Sequence, residues 1–158
     1  MTRPSEAGAG RNTMLKDILT SDLVVLDAEG FKTPEEVIRF AGGLLEKAGR
    51  VLPTYTEKMV QAFHTLGPYI VMAPGIAMPH AAPAGDVLRP CVSFVRLCQP
   101  MTFGHPDNDP VRLVFALGGV ESGGHLEVLE AISGLLGDEK KLKALYTVSS
   151  YEELVKLM

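Results

Sequence analysis

The sequence predicts a three-layer α/β domain, with a central mixed sheet and helices on both of its faces. Three observations support this prediction. Apolar, β-branched runs that suit buried strands alternate with amphipathic segments that suit helices. Capping residues, prolines and glycines mark several helix boundaries. The chain has 158 residues, 46% of them hydrophobic, which suits one domain with a sizeable core.

The beginning of the chain differs from the rest. The first 13 residues lack hydrophobic periodicity and are rich in glycine, alanine and polar side chains. We therefore predict a disordered tail or extension over residues 1–13 and a single domain over residues 14–158. The first patterned segment, residues 14–19, predicts a short helix, and the apolar run at residues 23–26 predicts a strand.

The next helix has a clear start signal. Thr33, Pro34 and Glu36 have the spacing of an N-cap, a first-turn proline and a capping-box glutamate. This helix is predicted to run to about Ala48 and to end at Gly49. A second helix is predicted at residues 56–66, before a glycine–proline pair.

The remaining elements follow the same alternation. Apolar and β-branched runs predict strands at residues 69–72, 91–97 and 111–117. Amphipathic or capped segments predict helices at residues 125–136, 139–145 and 151–157. The pattern leaves the direction of the individual strands open.

Charge and hydropathy exclude several classes of protein. The 15 basic and 19 acidic residues give a net charge of -4, which argues against a nucleic-acid or anionic-lipid partner. No apolar run approaches the roughly 20 residues of a membrane span, and none opens the chain like a signal peptide. We therefore expect a cytoplasmic protein with no membrane insertion. Cys91 and Cys98 are expected to be buried on opposite faces of one strand, without a disulfide between them.

Residues 73–81, which read APGIAMPHA, are the most informative about function. Two prolines and a glycine restrict the backbone ahead of His80, and its immediate neighbours are small or apolar. Imidazole is a neutral nucleophile near neutral pH, so His80 is a candidate for covalent chemistry. The alternative is a histidine packed in a loop.

His125 is the second candidate. It follows a predicted strand and opens a predicted helix, whose first turn offers backbone N–H groups and a partial positive charge to an anion. Open α/β sheets tend to place ligands at the C-terminal ends of strands. His80 and His125 could therefore meet over one anion. An ordinary first-turn histidine is the alternative.

The other two histidines have plainer interpretations. His105 lies in the turn-forming segment 103–110, where a metal site with Asp107 and Asp109 is the less favoured alternative because zinc and calcium spacings are absent. His64 lies near the end of a predicted helix and complements its dipole. The chain has no serine-hydrolase elbow, Walker loop or dinucleotide-binding glycine motif. We expect no metal and no cofactor.

Several separated motifs resemble one known family. Residues 69–83, YIVMAPGIAMPHAAP, are similar to the active-site region of enzyme IIA components of the bacterial phosphotransferase system, in the mannitol/fructose superfamily. The form MAPGIAMPHA is closest to the ascorbate-type members. Matching motifs occur at residues 66–69, 107–111 and 124–128. The resemblance covers nearly all of residues 14–158.

The resemblance implies a phosphoryl carrier. In the family, the histidine of the Pro-His motif accepts a phosphoryl group from phospho-HPr and passes it to a cysteine of enzyme IIB. Carried onto this chain, His80 is the phosphorylated residue, and His125 supports the phosphoryl group or orients the site. Mannitol- and fructose-type members carry an arginine where this chain has His64. Its absence favours the ascorbate-type subgroup, and His64 is expected to contribute at most modestly.

The resemblance also implies particular protein partners for this chain. HPr is the implied donor and enzyme IIB the implied acceptor, for ascorbate or a related sugar, and a homodimer is compatible with the sequence. An apolar docking patch around His80 is expected to include Ala73, Pro74, Ile76, Met78 and Ala81. One alternative is a regulatory protein of the same fold, in which the phosphorylation state of His80 controls a partner. Another is a metal-binding or hydrolytic α/β protein.

Overall fold

The structure, a computed structural model, describes residues 14–120 and 125–158, with only the backbone at Met14 and His125. The predicted tail at residues 1–13 lies outside the described residues. The helices in the described part are α1 (Met14–Ile18), α2 (Pro34–Lys47), α3 (Pro53–Leu66), α4 (His125–Leu136), α5 (Glu139–Leu145) and α6 (Tyr151–Val155). The strands there are β1 (Val24–Ala28), β2 (Val71–Ala73), β3 (Ile76–Ala77), β4 (Cys91–Met101) and β5 (Val111–Gly118). Short 3-10 helices cover Ser21–Leu23 and Pro68–Ile70.

The five strands form one mixed sheet in the order β1-β4-β5-β3-β2. Strand β1 is parallel to β4, and β3 is parallel to β5, whereas the β4–β5 and β2–β3 pairs are antiparallel. Seven consecutive residues of β4 are buried, and only one residue of β5 is not. Such continuous burial is typical of strands covered on both faces. The predicted α/β fold with a mixed sheet is confirmed.

Two side chains of β4 show how helices cover both faces of the sheet. Ser93 and Arg96 are three residues apart, so they point to opposite faces. The Ser93 hydroxyl donates to the carbonyl of Ala41 in α2 at 2.8 Å. The Arg96 guanidinium donates to the carbonyl of Leu145 in α5 at 3.1 Å. It also donates two hydrogen bonds to the carboxylate of Asp27, each 3.1 Å long, which pairs its buried charge.

Helix α2 begins as the capping pattern predicted. The Thr33 hydroxyl accepts a hydrogen bond from the Glu36 amide at 3.2 Å, and the Glu36 carboxylate accepts one from the Lys32 amide at 2.6 Å. Helix α3 begins three residues earlier than predicted, at Pro53. Proline suits the first turn of a helix because its missing N–H would have had no partner there.

The segment before His80 differs from its prediction. Instead of one strand at residues 69–72, a 3-10 turn at Pro68–Ile70 precedes the short strand β2, and β3 was not predicted at all. Strand β3 has only two residues, too few to show a periodicity. It is defined by its neighbours: Ile76 pairs with Leu113 and Ala77 with Val114 of β5, while β2 lies on the other side.

The expectation that both cysteines are buried is wrong for Cys98. Cys91 is buried at the beginning of β4, whereas Cys98 is exposed. The pairing of β4 with β5 is interrupted after Arg96, and the last β4 residue paired with β1 is Leu97. Cys98 therefore lies where the strand runs beyond its covered part. Among the described residues, no helix is long and apolar enough to cross a membrane.

The close approach of α2 and α3 at Gly42 leads us to predict the effect of a substitution on the free energy of unfolding. A Cβ atom at Gly42 of α2 would lie 2.7 Å from Cγ2 and 2.8 Å from Oγ1 of Thr56 in α3. We expect Gly42→Ala to lower the free energy of unfolding by about 1–3 kcal/mol through overpacking. Urea denaturation would measure this loss.

The adjacent glycine provides a matched control. No atom lies within 4 Å of a Cβ built at Gly43, so Gly43→Ala should raise stability by up to about 1 kcal/mol through helix propensity. Adding Thr56→Ala to Gly42→Ala should restore part of the loss because it removes both close atoms. A Gly42→Ala variant as stable as Gly43→Ala would contradict the predicted clash.

Candidate functional site

His80 lies just after β3, at the edge of the sheet where β3 and β5 have their C-terminal ends. Because these strands are parallel neighbours, the chain that leaves β3 emerges beside the end of β5. The Pro79 carbonyl accepts a hydrogen bond from the Leu117 amide of β5 at 3.0 Å. The Met78 amide donates to the Ile70 carbonyl at 2.8 Å. The backbone is thus held on both sides immediately before His80.

Gly75 makes the tight turn between β2 and β3. Its φ is +75°, a conformation that glycine adopts without steric cost. Its amide donates to the Asn108 carbonyl at 2.8 Å, and its carbonyl accepts from the Arg112 and Leu113 amides at 2.9 and 3.0 Å. A Cβ atom here would also lie 2.8 Å from the Tyr146 hydroxyl. The positive φ and the nearby Tyr146 hydroxyl therefore explain why glycine occupies position 75.

Tyr55 of α3 holds the residue that follows His80. Its side chain is fully buried, and its hydroxyl donates to the Leu117 carbonyl at 2.7 Å and accepts from the Ala81 amide at 3.0 Å. Burial raises the pKa of the Tyr55 phenol well above its ordinary value, so the hydroxyl remains a donor. Sequence reasoning missed this residue because its partners lie far away in the chain.

The imidazole of His80 has a defined tautomer. Its Nδ1 lies 2.7 Å from the Met78 carbonyl oxygen. A carbonyl oxygen can only accept, so Nδ1 carries the hydrogen, and the lone pair of the neutral ring is on Nε2. The ring is partly buried and packs edge-to-face against Tyr69, with centroids 5.7 Å apart and planes at 71°. The Tyr69 hydroxyl donates to the His80 backbone carbonyl at 3.3 Å.

His80 lines a shallow, mostly apolar depression of about 380 Å³. The other lining residues are Ala62, Leu66, Tyr69, Ala81, Ala82 and Pro83. Leu66 is 63% exposed and Tyr69 is 38% exposed, so the apolar surface here faces solvent. The end of α3, the 3-10 turn and the loop after His80 supply this surface.

The predicted docking patch is partly wrong. Ile76 and Met78 are only 2% and 6% exposed, and both belong to the hydrophobic core. Ile76 lies in β3, inside the sheet between β2 and β5, and its side chain packs in the core from the face of the sheet. Among the five predicted residues, only Ala81 lines the depression.

Asp86 anchors the loop that follows His80. Its buried carboxylate accepts hydrogen bonds from Lys58 at 3.3 Å, Thr54 at 3.3 Å and the Ala84 amide at 3.1 Å. Burial by itself raises the pKa of Asp86, but the hydrogen bonds from Lys58 and Ala84 outweigh it and hold the pKa below its ordinary value. The carboxylate is therefore ionised and engaged in holding the loop.

His125 is the first residue of α4, the helix that follows β5. The loops leaving β3 and β5 emerge at the same edge of the sheet, as expected from their parallel pairing. The side chain of His125 and residues 121–124 lie outside the described residues. The meeting of His80 and His125 over one anion stays a prediction.

The other histidines have local partners. His64 Nε2 lies 2.8 Å from the Glu35 carboxylate of α2, and half of the side chain is exposed. His105 Nδ1 accepts from the Asp107 and Asn108 amides, both at 3.1 Å, which favours the turn interpretation. Within residues 14–120 and 125–158, no group of three or more His, Cys, Asp or Glu residues is placed to hold a metal ion.

Comparison of the sequence with models of known protein families gives a match over most of the chain. Residues 17–158 match the family described as "Phosphoenolpyruvate-dependent sugar phosphotransferase system, EIIA 2". The match covers most of the chain, so the protein belongs to this family of phosphotransferase enzyme IIA components.

Particular relatives refine the comparison. The chain is 34% identical over 146 residues to the ascorbate-specific PTS system EIIA component of Escherichia coli, covering 91% of this chain and 94% of that protein. The complex of enzyme IIAMTL and phosphorylated enzyme IIBMTL from Escherichia coli matches with a TM-score of 0.76 at 29% identity, covering 88% of this chain and 95% of that chain. The nitrogen regulatory protein IIA-Ntr of Neisseria meningitidis matches with a TM-score of 0.76 at 31% identity, covering 91% and 98%.

Proposed function

We propose that the protein is a phosphoryl carrier that accepts phosphate from phospho-HPr on His80 and donates it to a cysteine of enzyme IIB. The system would take up ascorbate or a related sugar. One observation carries the proposal: Nδ1 of His80 donates to the Met78 carbonyl at 2.7 Å while the ring lines an apolar depression. The ring is thereby held with its lone pair on Nε2.

Nε2 is therefore the proposed phosphorylated atom. In the first step, its lone pair attacks the phosphorus of phospho-HPr, and the donor histidine keeps the electron pair of the broken P–N bond. In the second step, a thiolate of enzyme IIB attacks the same phosphorus, and the P–N electron pair returns to Nε2. Such transfers depend mainly on positioning and charge stabilisation.

His125 is proposed to support the phosphoryl group. It opens α4, the helix that follows β5, and a helix N-terminus favours an anion through its unpaired N–H groups and dipole. We expect His125→Ala to slow the transfer while the protein still folds.

The partners are proposed from the surface and from the relatives. The exposed apolar side chains beside His80 suit a protein partner that must exclude water from the phosphoryl group. The mannitol relative occurs in a complex with phosphorylated enzyme IIB, and the ascorbate-specific relative favours that sugar.

Labelling with radioactive phosphoenolpyruvate, enzyme I and HPr tests the proposal. The chain should gain one label that is stable in base and labile in acid, and mass spectrometry should locate it on His80. Enzyme IIB from an ascorbate-type system should then discharge the label, whereas its cysteine-to-serine variant should not. Label on another residue would refute the proposed site.

A regulatory role is the second candidate, and the similarity to the nitrogen regulatory protein favours it. The same experiment separates the two functions. A regulator would be labelled on His80 but would retain its label when enzyme IIB proteins of several sugar systems are added. A carrier would lose it to one of them.

A further inference from the structure

Tyr69 is the side chain that contacts the His80 ring edge-to-face. It belongs to the 3-10 turn Pro68–Ile70, which follows α3 after the positive-φ residue Gly67. Its ring centroid lies 5.7 Å from that of His80, with an angle of 71° between the planes. Edge-to-face packing at this distance is a favoured arrangement of aromatic rings. The contact therefore restrains the orientation of the imidazole.

The second contact of Tyr69 is weaker. Its hydroxyl donates to the His80 carbonyl at 3.3 Å, which is longer than an ordinary O–H···O hydrogen bond. The ring, rather than the hydroxyl, should therefore supply most of the restraint. Burial raises the pKa of the Tyr69 phenol, so the side chain stays neutral beside His80 and places no negative charge next to an incoming phosphoryl group.

We infer that Tyr69 is a positioning residue, whose ring holds the His80 imidazole in the Nδ1–H tautomer, with the lone pair of the neutral ring on Nε2. The inference rests on the proposed function for its catalytic meaning. The Met78 carbonyl and Tyr69 both restrain this ring: the carbonyl holds Nδ1, and Tyr69 prevents the ring from turning away from that carbonyl. A ring that is already oriented loses less freedom on reaching the transition state.

The restraint can be measured without any phosphoryl donor. Long-range 1H–15N NMR spectra of the unphosphorylated protein report the tautomer of His80 directly. We expect the Nδ1–H tautomer in the wild type and in Tyr69→Phe, which keeps the ring. Tyr69→Ala should show a mixture of both neutral tautomers. If Tyr69→Ala does not fold, Tyr69→Leu removes the ring while keeping apolar bulk, and the same mixture is expected.

Kinetics with phospho-HPr separate positioning from docking. Tyr69→Ala should lower the maximal rate of His80 phosphorylation about fivefold, whereas Tyr69→Phe should stay close to the wild type. Leu66→Ala is the matched control, since Leu66 lines the same depression without a ring contact. It should raise KM and leave the maximal rate and the tautomer unchanged.

The outcomes distinguish this inference from the proposed function. Wild-type tautomer populations in both Tyr69→Ala and Tyr69→Leu would overturn the inference, even if His80 were labelled normally. Absence of label on wild-type His80 would instead refute the proposed function, and the NMR spectra would still decide whether Tyr69 orients the ring.

Discussion

His80→Ala is expected to abolish labelling by phosphoenolpyruvate, enzyme I and HPr. The substitution removes the nucleophile, and the part of the chain that the structure describes offers no equivalent replacement at the depression, whose other lining residues are alanines, Leu66, Tyr69 and Pro83. The loss should exceed about 10³-fold, since covalent catalysis cannot continue without its nucleophile. The protein should still fold, because the backbone hydrogen bonds of Pro79 and Ala81 do not involve the imidazole.

Two histidine variants serve as controls. His105→Ala changes a turn in which Nδ1 accepts from two amides, and it should leave labelling unchanged. His64→Ala removes a half-exposed partner of Glu35 and should slow phosphorylation at most modestly. Full labelling of His80→Ala would refute the proposed phosphorylation site. A His64→Ala variant as inactive as His80→Ala would show that this histidine is more than a surface residue.

Tyr55→Phe is expected to affect both stability and function. It leaves the partly buried Ala81 amide without its hydrogen-bond acceptor and the buried Leu117 carbonyl without the hydroxyl that donates to it. Unpaired buried polar groups should lower the free energy of unfolding by about 1–3 kcal/mol. Phosphorylation should also slow, since the residue next to His80 loses its anchor to α3. Urea denaturation and the initial labelling rate would measure the two effects.

A second tyrosine provides the comparison. The Tyr151 hydroxyl donates to the Leu19 carbonyl at 2.7 Å, and Tyr151 does not line the depression at His80. Tyr151→Phe should cost about 0.5–1.5 kcal/mol, as for one ordinary hydrogen bond, and leave the labelling rate unchanged. Equal stability loss in the two variants, with equal labelling rates, would contradict the special role of Tyr55.

Local sequence signals predicted most of the elements. The Thr33–Glu36 capping pattern located the beginning of α2, and long apolar runs located β4 and β5. The failures have a common cause. Strand β3, the exposure of Cys98 and the burial of Met78 all depend on which residues pair or pack from distant parts of the chain. A local pattern of residue types carries no information about such partners.

The site shows the same division. The motif around His80 indicated the candidate residue and a restricted backbone before it, and the structure explained the glycine through the positive φ of Gly75. It did not reveal the hydroxyl of Tyr55, the carboxylate of Asp86 or the ring of Tyr69. Helix α3 supplies Tyr55 and also Lys58, the ion-pair partner of Asp86. The sequence alone therefore indicated the candidate nucleophile, whereas the structure identified the side chains that contact it and hold its loop.

The pairing of β3 with β5 also affects when the site can form during synthesis. The ribosome makes His80 well before it makes Leu117, whose amide holds the Pro79 carbonyl and whose own carbonyl holds Tyr55. A nascent or truncated chain that ends before β5 contains the histidine but lacks these hydrogen bonds. Competence as a phosphoryl acceptor should therefore arise only after β5 has been made, so that shorter nascent chains would not take phosphoryl groups from the donor.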